Sequence, residues 1–188
     1  SLKFFWNKIK KNYFSTAYVF KIIHSNIKND TATQIFTKNG PLAFLPLSPT
    51  ETSIVFSYKN RLNKILDNSE IIKIFKNLNT KYLIKEISVI EKFKLKQELQ
   101  KIYFKDNVLA FGDKLHTIHP LAGQGLNMNI RDIKNLMNLI DNKVHIGLPL
   151  NEDIAKEFQN NNRYKNIIFA NGIDLLLEIF EYEKKLPK

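Results

Sequence analysis

The chain has 188 residues, enough for one domain or one and a half, and its 44% hydrophobic and 12% aromatic residues can bury a core, which excludes a disordered polypeptide. It has no cysteine, which excludes disulfides and thiolate metal sites and suits a reducing compartment. A net charge of +11, from 29 Lys+Arg against 18 Asp+Glu, admits nucleic acid, an anionic membrane face or an acidic partner, and equally the plain bias of a Lys-, Asn- and Ile-rich sequence.

In chain order, residues 18–23 (YVFKII) are rich in β-formers and predict a strand. Residues 31–38 alternate around Ala32, Gln34 and Phe36 and run into Asn39-Gly40, a hairpin signal. Residues 42–47 read as a short apolar strand closed by Pro46 and Pro49, and residues 52–58 as another after a Ser-Pro-Thr-Glu turn. Together they predict an antiparallel meander of about three to four strands. The period then turns helical over 61–78, through Leu62, Ile65 and Leu66, then Ile71, Ile74, Phe75 and Leu78, with Asn68-Ser69 as break and cap. Strand character returns over 86–95 and 99–104, and residues 108–111 read as a short buried strand entering Gly112-Asp113.

From there Leu126, Ile130, Ile133, Leu136, Met137 and Ile140 share one helical face, which Gly147 and Pro149 end. Asn151 is placed to cap a helix through Phe169, and Gly172 marks a bend before a last helix over 174–182. The pattern predicts an α+β fold: an antiparallel or mixed sheet domain over 1–105 with inserted helices, then a strand–loop–helix and C-terminal helices over 106–188. No apolar run approaches the ~20 residues of a spanning helix; the longest, 166–180, is broken by Asn171, Gly172, Asp174 and Glu178. Lys8, Lys10 and Lys11 follow the apolar residues Phe4, Phe5 and Trp6 rather than precede them, which is not the order of a signal peptide. Both features fit a cytoplasmic chain.

The chemistry concentrates in residues 107–132, NVLAFGDKLHTIHPLAGQGLNMNIRD. A strand ends in Gly112-Asp113, a loop carries Pro120, Gly123 and Gly125, and a helix starts near Leu126 or Asn127. Glycines let a backbone approach a ligand closely. A helix N-terminus offers unpaired N–H groups and partial positive charge, and an aspartate accepts hydrogen bonds from sugar-like hydroxyls. The set suits a polyhydroxylated ligand with a negative pole. Spacing alone leaves equally open a plain strand–loop–helix connection with Asp113 as a cap.

Gly112-Asp113, His116, Pro120, Gly123-Gln124-Gly125, Asn127 and Asp132 resemble the second flavin-binding motif of class A flavin monooxygenases. The run from His116 through Thr117, Ile118, His119, Pro120, Leu121, Ala122, Gly123, Gln124, Gly125 and Leu126 to Asn127 is similar to the ubiquinone-biosynthesis hydroxylases in particular. So is the upstream run Gly40-Pro41-Leu42-Ala43-Phe44-Leu45-Pro46-Leu47, followed by Ser53-Ile54-Val55. The resemblance covers most of the chain between Ala17 and Phe180 and is weakest between Lys59 and Lys105.

It implies FAD as cofactor, with an external reductant such as NAD(P)H that the residues do not specify, and a hydrophobic phenol or quinone as substrate. Gly112, Asp113, Pro120, Gly123, Gln124, Gly125, Leu126 and Asn127 would bind the cofactor: Asp113 the ribityl chain, Pro120 beside the isoalloxazine ring, and the backbone of Gly125, Leu126 and Asn127 at the pyrimidine edge. Leu42, Phe44, Leu45 and Pro46 would floor the substrate pocket in a sheet domain over 1–105, with 106–188 as the last part of the FAD-binding domain. Reduced flavin and O2 would deliver an oxygen atom to an electron-rich ring, so no side-chain nucleophile is named.

The family also opens with a G-x-G-x-x-G unit and carries an Asp-Gly motif, neither found here, and Lys114-Leu115 stands where small residues are usual, so that Leu115 is expected to crowd the loop. The expectation is therefore a fragment, either non-catalytic or half of a split gene needing a separate N-terminal partner, that holds FAD weakly alone; whether it turns over by itself stays open. His116 and His119 at i, i+3 are not read as a metal site, for want of cysteine and of carboxylates beyond Asp113. His24 and His145 are read as incidental. The segment from Phe4 to Lys11 is read as packing at a domain junction, with peripheral contact at the inner membrane face as the alternative. The basic charge also raises a nucleic-acid-binding module, against which stands the lack of any such motif.

Overall fold

The computed structural model describes residues 7–59, 65–121 and 123–183. Phe4, Phe5, Trp6, Arg61, Leu62, Ala122, Lys184, Lys185 and Lys188, on which some of the expectations fall, lie outside them. The described chain divides into two compact units, one of residues 7–12 and 96–182 and one of residues 13–95. That grouping differs from a division at 105/106, because residues 7–12 and 96–105 pack with the later part of the chain.

The sheet unit follows from period-2 patterning. β1 (Lys8–His24) is far longer than the expected strand over 18–23. It pairs antiparallel with β4 (Glu51–Lys59), which pairs with β3 (Gly40–Ser48), which pairs with β2 (Thr33–Thr37). The register sets Tyr18 opposite Phe56, Phe20 opposite Ile54, Leu42 opposite Phe56 and Phe44 opposite Ile54. One face therefore carries an unbroken apolar layer, all of it buried. α1 (Asn68–Leu78) lays Ile71 and Phe75 on that layer, with the Phe75 ring edge-on to Phe20 at 5.0 Å. Its start is fixed by a capping box between Asp67 and Glu70, one residue before the expected Asn68-Ser69 cap. Ile65 and Leu66 precede the helix, and the Leu66 amide donates to the Tyr18 hydroxyl at 2.8 Å.

The Asn39-Gly40 hairpin forms, but Gly40 already pairs with Thr37, so Lys38 and Asn39 are the two loop residues. Gly40 takes φ +130°, and a Cβ there would sit 2.0 Å from the Ser57 carbonyl oxygen, so both conformation and space demand glycine. The expected strand over 86–95 is two strands, β5 (Ile84–Ile87), which pairs with β1, and β6 (Glu91–Gln100).

In the helix unit, β7 (Phe104–Lys105) and β8 (Val108–Leu109) make a two-residue hairpin turning at Asp106, whose φ is +52°. Val108 is half exposed, so the buried strand expected over 108–111 is an outer hairpin strand and burial begins only at Ala110. β9 (His116–Thr117) pairs with the end of β6. α2 (Gln124–His145) ends where Gly147 turns left-handed. α3 (Glu152–Glu183), started by the Asn151 side chain on the Asp153 amide, runs straight through Gly172, where a bend was expected. Its buried face steps by four through Ile154, Phe158, Asn162, Asn166, Ala170 and Asp174. The expected apolar face of α2 is split: Leu126, Ile130, Ile133 and Met137 are exposed, Leu136 and Ile140 are half-buried with Leu136 against the core cluster, and full burial falls on Met128 and Asp132.

Candidate functional site

The segment from Phe111 to Asp132 is held by its backbone before any side chain acts. Gly112–Lys114 form a single 3-10 turn, with the Leu115 amide donating to the Gly112 carbonyl at 2.8 Å. The Gln100 amide donates to the Leu115 carbonyl at 2.9 Å, and its side-chain amide to the Lys114 carbonyl at 3.0 Å. Leu115 points inward to pack with Tyr103, Ala110 and Phe158. It therefore does not crowd the loop, contrary to expectation, while Lys114 stays exposed.

Asp113 does not cap α2. The N-cap is Gly123 at φ +69°, a left-handed position that glycine takes without strain. No side chain caps the helix there and no acidic residue lies in its first turn, so the positive end of α2 is not neutralised from within. A Cβ at Gly112 or Gly123 would meet nothing within 4 Å, and one at Gly125 only Ile118 at 4.0 Å. Pro120, Gly123, Leu126 and Asn127 are exposed, and Gln124 and Gly125 partly so.

The exposed Asp113 lies beside this helix start. Its carboxylate accepts from the Asn129 amide at 3.4 Å, and its carbonyl from the Thr117 hydroxyl at 3.1 Å. The Asn129 Oδ1 oxygen is buried with no hydrogen-bond partner among the described residues. The residues expected at a cofactor thus come together on one small surface: an acceptor at Asp113, open glycine backbone, and the uncapped end of a helix. That set fits a ligand with hydroxyls and a negative pole.

Leu42, Phe44, Leu45 and Pro46 are brought together less completely. Strand alternation splits them, with Leu42 and Phe44 buried in the core layer and Leu45 exposed on the opposite face of β3.

Beneath the loop lies a polar network that the sequence did not disclose as such. His116 Nε2 and Asp132 Oδ2 are 2.8 Å apart, both side chains 1% exposed. Asn166 Nδ2 donates to the same oxygen at 3.2 Å and to the Tyr103 hydroxyl at 3.1 Å. Arg131 donates to Asp132 Oδ1, at 3.2 Å from Nη2, and also to Asn166. Burial pushes the Tyr103 phenol up to about 12 despite the Asn166 hydrogen bond. Asn162 and Asn166 had one legible signal, their place on the four-residue spacing of the apolar face of α3. His24, read as incidental, is instead buried in the sheet unit, its Nε2 2.9 Å from the Thr52 hydroxyl.

A fold of this kind is found among FAD-dependent enzymes. It is similar to a probable FAD-dependent monooxygenase from Pseudomonas aeruginosa, with TM-score 0.65 at 17% identity over 92% of this chain and 50% of that one. It is also similar to the myxobacterial chondrochloren halogenase, with TM-score 0.67 at 14% identity over 88% and 42%. At those identities the likeness concerns the fold. A family model described as an FAD binding domain matches residues 15–143, more than half of the chain.

In sequence, the 3-demethoxyubiquinol 3-hydroxylase of Escherichia coli (strain K12) is 30% identical over 80% of this chain and 40% of its own length. The mitochondrial ubiquinone biosynthesis monooxygenase of Danio rerio is 25% identical over 92% and 44%. The chain belongs to the FAD-binding domain family, and the curated relatives it matches include ubiquinone-biosynthesis monooxygenases. It spans about two fifths of the length of the curated relatives it matches.

Proposed function

We propose that this chain supplies the ring end of an FAD site in a monooxygenase that hydroxylates a polyprenyl phenol of ubiquinone biosynthesis. One observation carries the reading: Asp113 and the uncapped first turn of α2 lie side by side, joined through Asn129, with open backbone at Gly112 and Gly123. Asp113 accepts from a ribityl hydroxyl. Pro120 lies against the isoalloxazine ring, and the Gly123-Gln124-Gly125 backbone leaves room for it. The backbone of Gly125, Leu126 and Asn127 faces the pyrimidine edge, where the helix end stabilises negative charge. Bound there, FAD supplies the activation of O2 and the transfer of one oxygen atom to the ring, with an external reductant such as NAD(P)H. Leu45 lies on the open face of β3 as the substrate floor, and Leu42, Phe44 and Pro46 hold that strand in place.

A second reading builds on the same site. The outward stripe of Leu126, Ile130, Ile133 and Met137 is an apolar face of the kind that partners cover. It favours assembly with a separately supplied dinucleotide-binding front half, and a chain that is not active alone. Among the described residues no helix is long and apolar enough to cross a membrane. A cytoplasmic protein in peripheral contact with the inner membrane face fits a polyprenyl substrate.

The test is an FAD titration followed by flavin fluorescence, on the chain alone and co-expressed with such a front half. The complex is expected to be yellow and the chain alone colourless. Asp113→Ala is expected to weaken FAD retention about tenfold, the worth of one charge-assisted hydrogen bond. Unchanged retention removes Asp113 from the site, and failure of both chain and complex to take up FAD ends the reading.

A further inference from the structure

We infer that His116 is a positioning residue: held through Nε2 by the buried Asp132 carboxylate, it sets the conformation of the loop over 113–123 that carries Asp113 and leads into α2. The inference rests on the reading of that loop as the FAD-binding segment, and it concerns residues that reading leaves without a role.

Asp132 is an acceptor filled from every side. Its Oδ2 takes His116 Nε2 at 2.8 Å and Asn166 Nδ2 at 3.2 Å, and its Oδ1 takes Arg131 Nη2 at 3.2 Å and Nε at 3.4 Å. Such a carboxylate dictates that His116 keeps its proton on Nε2 and fixes the ring plane. The other ring nitrogen, Nδ1, is buried and has no hydrogen-bond partner among the described residues. The histidine is therefore tied down at one end only, and the tie leads into α2 through Asp132 and into α3 through Asn166.

What that tie holds is the loop. His116 lies three residues after Asp113 and four before Pro120, in β9, which has only two residues. Two paired positions, Leu99 with His116 and Glu98 with Thr117, make a short ladder. Backbone bonds and Gln100 hold the loop up to Leu115, and the exposed Asp113 is further bonded through its carbonyl to Thr117 and its carboxylate to Asn129. A cofactor site needs its groups held to a fraction of an ångström, and displacement of about 1 Å costs up to ~100-fold. The His116–Asp132 contact is the buried side-chain bond that ties this loop to α2, both side chains being 1% exposed.

The test compares the 188-residue chain with His116→Ala, His116→Gln and Asp132→Asn by hydrogen-exchange mass spectrometry, read on peptides over 113–123 and, as a control, over β3 and β4. Glutamine places an amide nitrogen where Nε2 was and keeps the donation to Asp132. Alanine is expected to speed exchange in 113–123 about tenfold or more and leave β3 and β4 unchanged. Glutamine is expected to restore most of the protection. Equal exchange in wild type and alanine overturns the inference, and so does glutamine as fast as alanine. Should the alanine chain not fold, Asp132→Asn takes its place, and unchanged loop exchange there also overturns it. A parallel FAD titration, run also on the complex with the front half, keeps the two ideas apart. A loop that loosens while neither chain nor complex takes up FAD sinks the cofactor reading alone, whereas FAD uptake with identical affinity in wild-type and alanine complexes sinks the positioning role alone.

Discussion

The sheet unit and the helix unit bury different chemistry. In the sheet unit Phe20, Ile22, Leu42, Phe44, Ile54 and Phe56 of the sheet pack under Ile71 and Phe75 of α1, and the buried polar groups among its described residues are few: His24, Thr52 and Ser57. The helix unit has a smaller apolar cluster around Tyr103, Leu115 and Phe158, and it buries Gln97, Gln100, His116, His119, Asp132, Asn162, Asn166 and Asp174. Apolar burial is strong and non-directional, so it fixes that an element packs more than how. Buried hydrogen bonds add little net stability but tolerate one geometry only. The unit with the candidate cofactor loop is built on the second principle, as a site that must hold backbone and carboxylate groups in fixed places requires.

The largest expected effects break one side of that contrast at a time. Phe75→Ala empties the centre of the sheet core, where the ring meets Phe20 at 5.0 Å and Phe44 at 6.1 Å, and is expected to cost about 4 kcal/mol in urea unfolding. Asp132→Ala leaves Arg131, His116 and Asn166 without their shared acceptor and is expected to cost about 3 kcal/mol by the same measurement. The two should also differ in kind. Loss at Phe75 should lower the transition of the sheet unit, and loss at Asp132 should first open the loop over 113–123. A cost below about 1 kcal/mol at Asp132 would mean that the polar cluster is mere filling.

The same contrast explains what could be read in advance. The sheet was legible because alternation and the Asn39-Gly40 hairpin are local signals, and so was the helical period of α1. Pro46, expected to close its strand, instead lies inside β3 opposite Thr52. β1 was under-read because its first half, Lys8 to Phe14, is polar and lacks the β-former run of 18–23. The helix α3 was divided at Gly172 because glycine is a poor helix former, yet its cost is only about 1 kcal/mol, less than continuous packing returns. The candidate cofactor loop could be read in advance only as a motif, Asp113, Pro120 and Gly123 to Asn127. What stayed hidden was the support below it, since Tyr103, Asp132 and Asn166 meet only in three dimensions. The outward stripe on α2 was legible as a face but not in its direction, because a period says which residues lie together and not what lies opposite.

A smaller effect sharpens the sheet side. Gly40→Ala puts a Cβ against the Ser57 carbonyl and forces φ +130° on an L-residue. About 2 kcal/mol should be lost by denaturant titration, with the hairpin of β2 and β3 loosening first. An alanine that costs nothing would mean that the β3–β4 register can shift, and the apolar layer with it.

The smallest effect belongs to the helix unit and is read by pH. Glu98 lies between two lysines, with Lys8 Nζ at 2.6 Å from Oε2 and Lys96 Nζ at 2.7 Å from Oε1. The Lys8 hydrogen bond first, and Lys96 next, hold its carboxyl down to about 2 from an ordinary 4.5. The folded protein therefore binds this proton less readily than the unfolded chain does. The resulting stability is complete above pH 4.5 and is lost as pH falls from 4.5 to about 2. Solvent reaches the pair, so the gain is expected to be only about 1 kcal/mol. Other carboxylates titrate in the same window, so the informative quantity is the difference between wild type and Glu98→Gln. Above that window wild type should be the more stable by this amount, and by about pH 2 the gap should have closed. A gap that stays constant with pH would assign Glu98 to packing and remove the ion pair from the account of β6.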